Sequence, residues 1–531
     1  MTAGTAIVAA QESERPGRGG FGSLLHAEWT KFRTVRGWLI GLLVAVLVTA
    51  GLLLSGGDSC GGPGNSGCTL PLGPGGEAVN DSFYFVRQPL AGNGSITVQV
   101  TSLTGETPSG SVSGRVRARS GPGTGQSMRS GLEPWSKAGI IVAASTAPGA
   151  AYAAMMVTGT HGVRMQYDYT GDTAGLPGAV SALSPRWLRL TRSGDMITGY
   201  DSANGSVWVK VGTARLGGLP STVQAGLFAA SPAYSQVVSQ SLGGSSATGG
   251  PTLATGTFDQ VGLAGRWTGG RWTGADIGGP DAMYPQDPGT FRQAAGTVSV
   301  TGSGDIAPDV PGSGGGGGIS ISQGLVGTFV GLIALVVVAS MYMTAEYRRG
   351  LIRVTLAASP RRGQVLLAKA AVIAAAGFVT GLVAAPLSLA VGERSAHAGG
   401  AFIDPVAALT LARLVLGTAA LFAAVAVFAL GAGALMRRGA AAVTVTILLV
   451  VAPFIIGTVL SAGGTQWPLR VLPAAGFAVQ GAYPRYPQVT ASYSTVSGYY
   501  PLPPWAGFAV LCGWAAVVLG LATWVLRRRD A

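Results

Sequence analysis

Residues 321–343 read ISQGLVGTFVGLIALVVVASMYM, and residues 345–363 read AEYRRGLIRVTLAASPRRG. The first run has about the 20 apolar residues that a helix needs to cross a bilayer. The second run is basic, and basic segments next to a span favour the cytoplasmic side of a membrane. Together they predict a spanning helix that ends at the cytoplasmic surface, followed by a short amphipathic segment that a soluble partner could push.

The composition of the whole chain agrees with a membrane protein. Only 11% of the 531 residues are charged, and the mean hydropathy is +0.41. The net charge is +13, yet residues 55–318 hold 15 basic and 15 acidic side chains. The excess basicity therefore lies in the flanking membrane parts. This distribution favours charge-directed membrane topology over nucleic-acid binding, and we expect no nucleic-acid partner.

Apolar runs predict six transmembrane helices, with both termini cytoplasmic. The expected spans are residues 38–54, 320–343, 365–391, 405–435, 440–460 and 505–526. The predicted inner segments, counted as far as Lys369 after the second span and including the tail 527–531, carry 16 Lys and Arg residues. The short outer loops, including the Tyr- and Pro-rich loop 461–504, carry three. This bias predicts a multi-pass plasma-membrane protein whose residues 55–319 are extracellular.

The segment before the first span divides into two parts. Residues 1–20 are small and polar, and predict a disordered N-terminus. Residues 21–37 have Leu25, Trp29 and Phe32 at helical spacing with charges between them, which predicts an amphipathic helix on the cytoplasmic surface. The run 38–54 could also be a signal peptide, but its basic leader is too long, so we expect a retained helix.

Between the first two spans the sequence predicts an all-β region. Residues 196–200 and 207–211 alternate around Asn204-Gly205, which is a hairpin signal. We expect a β-sandwich over 79–262, a β appendage over 263–312 and a glycine linker over 313–319. The preceding linker 55–78 contains Cys60 and Cys68. An extracellular loop would allow a disulfide between them, and two free thiols are the alternative.

The chain lacks the motifs of several common active sites. None of its four lysines follows a glycine, so there is no P-loop for ATP. The three histidines lie far apart, and no metal site is expected. The match Gly57-Asp58-Ser59-Cys60-Gly61 lies in a linker, where a nucleophile elbow is not expected. We predict no catalytic residue, no cofactor and no enzymatic activity in this chain. A coupled carrier is also disfavoured, since Arg413 is the one charge we place within a predicted span.

Two stretches resemble the permease subunits of type-2 ABC exporters. They are Glu28-Trp29-Thr30-Lys31-Phe32-Arg33-Thr34-Val35-Arg36 and Glu346-Tyr347-Arg348-Arg349-Gly350, the second continuing through residues 355–362 to Lys369. The resemblance covers about half of the chain and implies a permease that forms a homo- or heterodimer. It also implies a separate ATPase subunit, which would bind ATP and Mg²⁺.

The same resemblance assigns the docking elements for that ATPase. They are the surface helix and the segment 345–364, which look like the connecting and coupling helices of the family. The implied docking residues are Glu28, Trp29, Lys31, Arg33, Glu346, Tyr347, Arg348, Arg349, Gly350, Arg361 and Arg362. The alternative interpretation is that these charges only set the orientation of the spans in the membrane.

The region between the first two spans departs from that family and resembles another. Residues 135–140, 185–192, 201–208 and 258–261 look like concanavalin-like jelly-roll domains related to laminin G modules. Such domains often bind sugars, which makes Trp135, Trp187 and Trp208 possible glycan contacts, although buried tryptophans are also ordinary core residues.

Two functional hypotheses follow from the sequence. The first is a permease subunit of an ATP-driven exporter, whose spans reorient when its ATPase partner closes. The second is a membrane-anchored glycan- or cell-wall-binding or sensor protein. The transported substrate carries no signature in the sequence.

Overall fold

A computed structural model of the chain describes most of its residues. The described residues are 20–51, 70–108, 128–239, 245–278, 288–310, 318–348, 350, 362–399, 402–459, 467–491, 493, 495 and 498–528. Several predicted features lie outside them, namely residues 1–19, the Cys60–Cys68 pair, most of the glycine linker, Arg349, and residues 351–361, including Arg361.

Helices form both ends of the described chain. Labelled α1 to α9 in chain order, they are Phe21–Thr34, Arg36–Gly51, Thr328–Arg348, Arg362–Ala398, Ala408–Met436, Gly439–Val450, Ala452–Val459, Pro468–Val471 and Pro504–Arg528. Two 3₁₀ turns, Ile321–Leu325 and Pro473–Gln480, precede α3 and α9.

Five helical stretches among the described residues are long and apolar enough to cross a membrane. They are Ile321–Arg348, Arg362–Ala398, Ala408–Met436, Gly439–Ile456 and Pro504–Arg528. A sixth is reached if α1 and α2 count as one span, although they meet at a bend of 75°. These helices indicate a membrane protein, and α2 with its 16 residues is short for a span on its own.

The helix ends differ in places from the predicted ones. The second predicted span begins as a 3₁₀ turn capped by the Ser320 hydroxyl, and α3 starts at Thr328. The predicted span 440–460 is divided into α6 and α7 around Val451. Part of the predicted outer loop 461–504 folds back into the helices, where Phe477 stacks on Phe454 with ring centroids 4.5 Å apart.

The middle of the chain is all β, and one further short strand lies between α4 and α5. The strands of the described residues, β1 to β20 in chain order, are Val79–Asp81, Phe83–Pro108, Met128–Ser130, Lys137–Ala143, Tyr152–Thr158, Val163–Tyr167, Gly171–Ala174, Arg186–Ser193, Met196–Ser202, Val209–Arg215, Thr222–Ala230, Tyr234–Ser239, Ser245–Gly250, Leu253–Trp267, Thr273–Ile277, Thr290–Ala294, Thr297–Gly302, Ile306–Pro308, Gly318–Ile319 and Phe402–Ile403. The predicted hairpin is confirmed as the antiparallel pair β9–β10.

One long strand, β2, joins the two layers of this region. Its first part pairs with β11 through Tyr84–Ala91, and its later part pairs with β8 through Gly94–Val100. Gly92 lies between these parts with a φ of +68°, a conformation that glycine adopts without strain. Both parts of β2 contribute side chains to one core, which includes Leu90 and Val98 of β2 together with Ile140 and Leu227.

The predicted boundary between sandwich and appendage, at 262/263, does not divide the structure. Strand β14 runs from Leu253 to Trp267 across it and pairs with β2 along most of its length. The later strands β15 and β17 pair with β2 and β14 in the same sheet. The alternation of apolar and polar residues predicts strands but not their partners, so it did not show that β14, β15 and β17 belong to the same sheet as β2.

The β region contacts the helical region at more than one place. The short strands β19 and β20 pair in parallel just before α3 and α5. The buried Gln488 amide, in the loop before α9, donates to the carbonyl oxygens of Tyr169 and Thr170 at 3.3 and 3.4 Å. Val310 of the β region and Val489 of the loop share a small apolar cluster. These contacts fix how the β region sits on the helices.

Candidate functional site: a charge cluster joining three helices

Four charged side chains meet where α1 packs against α3 and α4. Glu28 and Lys31 lie three residues apart on α1, so they share one face of that helix. Glu346 lies in the last turn of α3, and Lys369 lies two turns into α4. The cluster therefore links the N-terminal helix to the two helices that flank residues 349–361.

Lys369 is the centre of the cluster. Its Nζ lies 2.6 Å from Glu28 Oε2 and 2.6 Å from Glu346 Oε1. Lys31 Nζ lies 2.9 Å from Glu28 Oε1 and 3.6 Å from Glu346 Oε1. The four charges alternate in sign and cancel, so no net charge is left in this apolar setting.

Burial makes each charge depend on its partners. The side chains of Lys369 and Glu28 are 1% and 4% exposed, whereas that of Lys31 is 46% exposed. Burial acts to raise the pKa of Glu28, but the charge and hydrogen bond of Lys369, with help from Lys31, lower it below its ordinary value. Burial acts to lower the pKa of Lys31, but Glu28 and then Glu346 raise it. Glu28 and Lys31 are therefore both charged near neutral pH.

Aromatic side chains close the cluster on its inner side. The Tyr342 hydroxyl donates to Glu28 Oε2 at 2.9 Å, and Lys369 Nζ lies 4.8 Å from the centroid of the same ring. Phe32, 1% exposed, meets Tyr342 edge-on at 5.5 Å. Trp38 of α2 also meets this ring, at 6.3 Å. Cation–π contact and exclusion of water strengthen the ion pairs here.

The structure brings together three of the predicted docking residues, Glu28, Lys31 and Glu346. Trp29 is 44% exposed and Arg33 is exposed, so both are available on the outer face of α1. Tyr347 is half-buried, with the Arg437 guanidinium 5.4 Å from its ring centroid.

The remaining predicted docking residues that the structure describes lie at the ends of α3 and α4. Arg348 is exposed at the end of α3, and Gly350 has a φ of +66°. Arg362 begins α4 and donates to the carbonyl oxygen of Leu526 in α9 at 3.0 Å. Arg362 is thus held by the bundle, whereas Arg348 is free to meet solvent or a partner.

Lys369, the central residue of the cluster, was not predicted as a site residue. Arg413 was the one charge expected within a predicted span, but Lys369 lies inside the predicted span 365–391 and is nearly fully buried. The missed signal is a single lysine in the otherwise uncharged span 365–391, because a buried charge of this kind is stable only with a partner of opposite charge. Tyr342 was missed too, since nothing in its sequence context separates it from an ordinary apolar residue. Arg413 itself donates to the Gly481 carbonyl oxygen at 2.6 Å.

The tryptophans proposed as glycan contacts differ in accessibility. Trp135 is 4% exposed and stacks on His161 at 3.8 Å, with Arg164 5.7 Å from its ring, so a sugar cannot reach it in this arrangement. Trp187 and Trp208 are half-buried. The Arg189 guanidinium lies 3.8 Å from the centroid of the Trp208 ring and donates from Nε to Thr97 Oγ1 at 3.1 Å.

The ion pairs of the cluster are suited to connecting α1, α3 and α4 mechanically. Among the described residues there is no group of three or more His, Cys, Asp or Glu side chains that could hold a metal ion. Each carboxylate of the cluster forms an ion pair with Lys369, which joins helices that are far apart in the chain. What the arrangement can do is make α1, α3 and α4 move together.

The comparisons with known proteins leave the family open. No family model matches the chain, and no curated protein matches it. Among solved structures, a functionally unknown protein from Saccharomyces cerevisiae is 12% identical, with a TM-score of 0.20 over 35% of this chain and 75% of that chain. Scytalido-glutamic peptidase is 9% identical, with a TM-score of 0.25 over 42% of this chain and 98% of that one. Likenesses this weak carry no argument about activity.

Proposed function

We propose that this chain is the permease subunit of an ATP-driven ABC exporter. In this proposal six spans, counting the bent pair α1–α2 as surface helix and first span, form the transmembrane pathway. Both termini are cytoplasmic, the jelly-roll β region is extracellular, and a separate ATPase subunit supplies the energy. A second copy of the chain or a related permease completes the pathway.

The observation that carries the proposal is the charge cluster of Glu28, Lys31, Glu346 and Lys369. Helix α3 ends at Arg348 and α4 begins at Arg362, so these helices receive any force applied to the residues between them. Lys369 of α4 forms ion pairs of 2.6 Å with Glu28 of α1 and with Glu346 of α3, and these pairs connect the three helices. A push on the segment 349–361 would therefore move three helices as a unit, which is what an ATPase-driven permease requires.

The exposed residues around the cluster supply a docking surface of suitable charge. Trp29, Arg33 and Arg348 face outward beside it, and the segment 345–364 adds further basic residues. A basic surface with one aromatic anchor suits an acidic groove on a partner. ATP-driven closure of the partner would pull on this surface and reorient the spans.

A pull-down from native cells tests the proposal. The tagged chain is solubilised in mild detergent, and the eluate is examined for an ATP-binding subunit and for ATPase activity. A variant carries Arg348→Glu, Arg349→Glu, Arg361→Glu and Arg362→Glu. Its matched control carries Arg394→Glu, Arg470→Glu and Arg485→Glu, which change charge in the predicted outer loops.

We expect the ATPase to elute with the wild type and the control, and to be lost from the fourfold variant. If the ATPase stays bound to that variant, the permease assignment survives but the docking surface is wrong. If the wild type brings down no ATPase, the permease proposal fails.

A membrane-anchored glycan-binding protein is the second candidate. The half-buried pair of Trp208 and Arg189, with Trp187 on the same strand as Arg189, is the observation that favours it. Aromatic faces beside fixed polar donors are typical of sugar sites. A glycan array probed with the detergent-solubilised chain, and with Trp208→Ala in parallel, tests this. Glycan signals that are absent, or unaffected by the substitution, would rule this site out.

A further inference from the structure

The outer face of α9 carries an apolar stripe that ends in an arginine. The helix packs its other side on the bundle, where Leu526 is 5% exposed. Facing away from the bundle, Val517, Leu521 and Trp524 are 55%, 50% and 52% exposed. They follow one another at spacings of four and three residues, and Arg528 continues the row four residues further on. The row is therefore one continuous helix face, apolar along the span and cationic at its end.

Two guanidinium groups lie at the cationic end of this face. That of Arg528 lies 4.3 Å from the centroid of the Trp524 ring. Arg527 lies against the start of α4, because a Cβ added at Gly363 would be 3.2 Å from Arg527 Nη2. Both arginines are exposed, and neither forms a salt bridge within the part of the chain that the structure describes. Two positive charges thus meet the surroundings at this helix end without an acidic partner among those residues.

A third arginine comes to the same place from α4. Arg362 donates from Nη1 to the Leu526 carbonyl oxygen at 3.0 Å. Leu526 directly precedes Arg527, and Gly363 directly follows Arg362, so the packing of α4 on α9 brings arginines of both helices together. The carbonyl groups at a helix C-terminus attract such a cation, but they carry only a partial charge. Since like charges repel most strongly where little water screens them, an anion among these arginines would lower the free energy.

The setting of Trp524 favours a lipid as the source of that anion. Tryptophan is enriched where the hydrocarbon region of a bilayer meets the headgroups. Only 22% of the most apolar part of α9 is buried, the smallest share among the five candidate spans of the described residues, so acyl chains can contact the rest. A chain lying along Val517 and Leu521 would place its headgroup phosphate at the level of the arginines. Guanidinium groups bind phosphate through paired hydrogen bonds, and basic groups between span ends bind anionic headgroups.

We propose that the ends of α4 and α9 form a binding site for one anionic phospholipid. Arg527 and Arg528 bind the headgroup, Trp524 packs beside it, and an acyl chain follows the stripe of Val517 and Leu521. A zwitterionic headgroup fits less well, because its cationic group meets the same arginines. The site goes beyond the proposed permease function and does not depend on it. The proposed topology puts the site in the inner leaflet, but the site itself requires only a membrane.

Native mass spectrometry of the full-length chain in a nonionic detergent tests the proposal. Phosphatidylglycerol is titrated in parallel with phosphatidylcholine that has the same acyl chains, and glycerol phosphate is the probe with a head but no chain. The variants are the pair Arg527→Gln with Arg528→Gln, and Arg528→Gln alone. The matched control is Arg36→Gln with Arg438→Gln, which removes two exposed arginines from predicted inner ends of other helices. Thermal unfolding shows whether each variant is folded.

The wild type and the matched control are expected to bind phosphatidylglycerol about tenfold more tightly than phosphatidylcholine. The double variant should lose most of this preference, and Arg528→Gln alone should reduce it by about threefold. Glycerol phosphate should not displace the lipid at the same concentration, because it lacks the apolar contacts.

Four outcomes would overturn the proposal: equal binding of both lipids by the wild type, an unchanged preference in the folded variants, loss of the preference in the matched control, or displacement by glycerol phosphate. A double variant that keeps the lipid preference but no longer retains the ATPase in a pull-down would assign these arginines to a protein interface instead.

Discussion

At the scale of single residues, Lys369 is the clearest case of a side chain whose role depends on its neighbours. An ammonium group 1% exposed in an apolar helix is costly unless carboxylates surround it. Glu28 of α1 and Glu346 of α3 supply two such carboxylates, from helices that are far apart in the chain. Buried ion pairs add little stability over apolar residues of the same size, so their value here is in fixing which helices meet.

Lys369→Met is expected to destabilise the protein by about 3–5 kcal/mol, because it leaves two buried carboxylates with only Lys31 to balance them. Thermal unfolding of the detergent-solubilised chain measures the loss. Lys210→Met, at an exposed lysine of β10, is the matched control and should change stability by less than about 0.5 kcal/mol.

A double-mutant cycle separates the ion pair from general effects of the substitution. Glu28→Gln removes one of the two carboxylates, so combining it with Lys369→Met should cost less than the sum of the single changes. Strictly additive losses would show that Glu28 and Lys369 do not interact, and would argue against the cluster.

At the scale of elements, glycines set how closely α4 and α5 approach. The spacing of Gly377 and Gly381 predicts close packing of a helix. A Cβ added at Gly381 would lie 2.7 Å from Ala419 Cα, and one at Gly377 would lie 3.0 Å from the Phe422 carbonyl oxygen. The α4 backbone therefore lies directly against that of α5.

Gly381→Ala is expected to destabilise the bundle by about 1–3 kcal/mol, since the helices must separate to admit the methyl group. Gly513→Ala is the matched control, because nothing lies within 4 Å of a Cβ there. That control should be neutral or stabilising by up to about 1 kcal/mol through helix propensity. Unfolding midpoints that rank the two variants in the reverse order would contradict the packing.

The junction between the β region and the helices contains an acid that titrates near neutral pH. Asp404, 2% exposed, accepts a hydrogen bond from the Tyr483 hydroxyl at 2.7 Å. Burial first, and then the charge of Asp309, raise its pKa to about 7, while the Tyr483 hydrogen bond acts in the opposite direction. The folded state thus holds this proton more tightly than the unfolded state does.

Stability of this junction should fall as the pH rises. Because the pKa of Asp404 is higher in the folded state, its protonated form stabilises that state. This stabilisation is complete below pH 3.8, the ordinary pKa of the group, and is lost as the pH rises through about 7. We expect hydrogen exchange around β19 and β20 to be faster at pH 8 than at pH 5 after correction for intrinsic rates. Asp404→Asn should remove this difference and slow exchange at pH 8. A difference that persists in the variant would assign the effect to another group.

At the scale of the whole molecule, the orientation in the membrane decides whether the charge cluster and the β region face different compartments. The proposed topology puts Arg348 inside the cell and Lys210 outside. Single cysteines at these exposed positions, in a background with the native cysteines replaced by serine, report on this in intact cells. An impermeant maleimide should label Lys210→Cys at once, and Arg348→Cys only after permeabilisation. Labelling in the opposite order would reverse the topology.

The amino-acid sequence by itself determined the broad plan of this protein. Apolar runs long enough to span a bilayer and alternating runs between turn residues depend on local composition, so the helical ends and the β region could be predicted, including the β9–β10 hairpin. Only the tertiary structure decided which distant groups meet. It joined β14 to β2 across the predicted boundary, buried Trp135 against His161, and placed Lys369 between Glu28 and Glu346. Pairings of this kind depend on how helices and strands pack, and no periodicity along the chain records them.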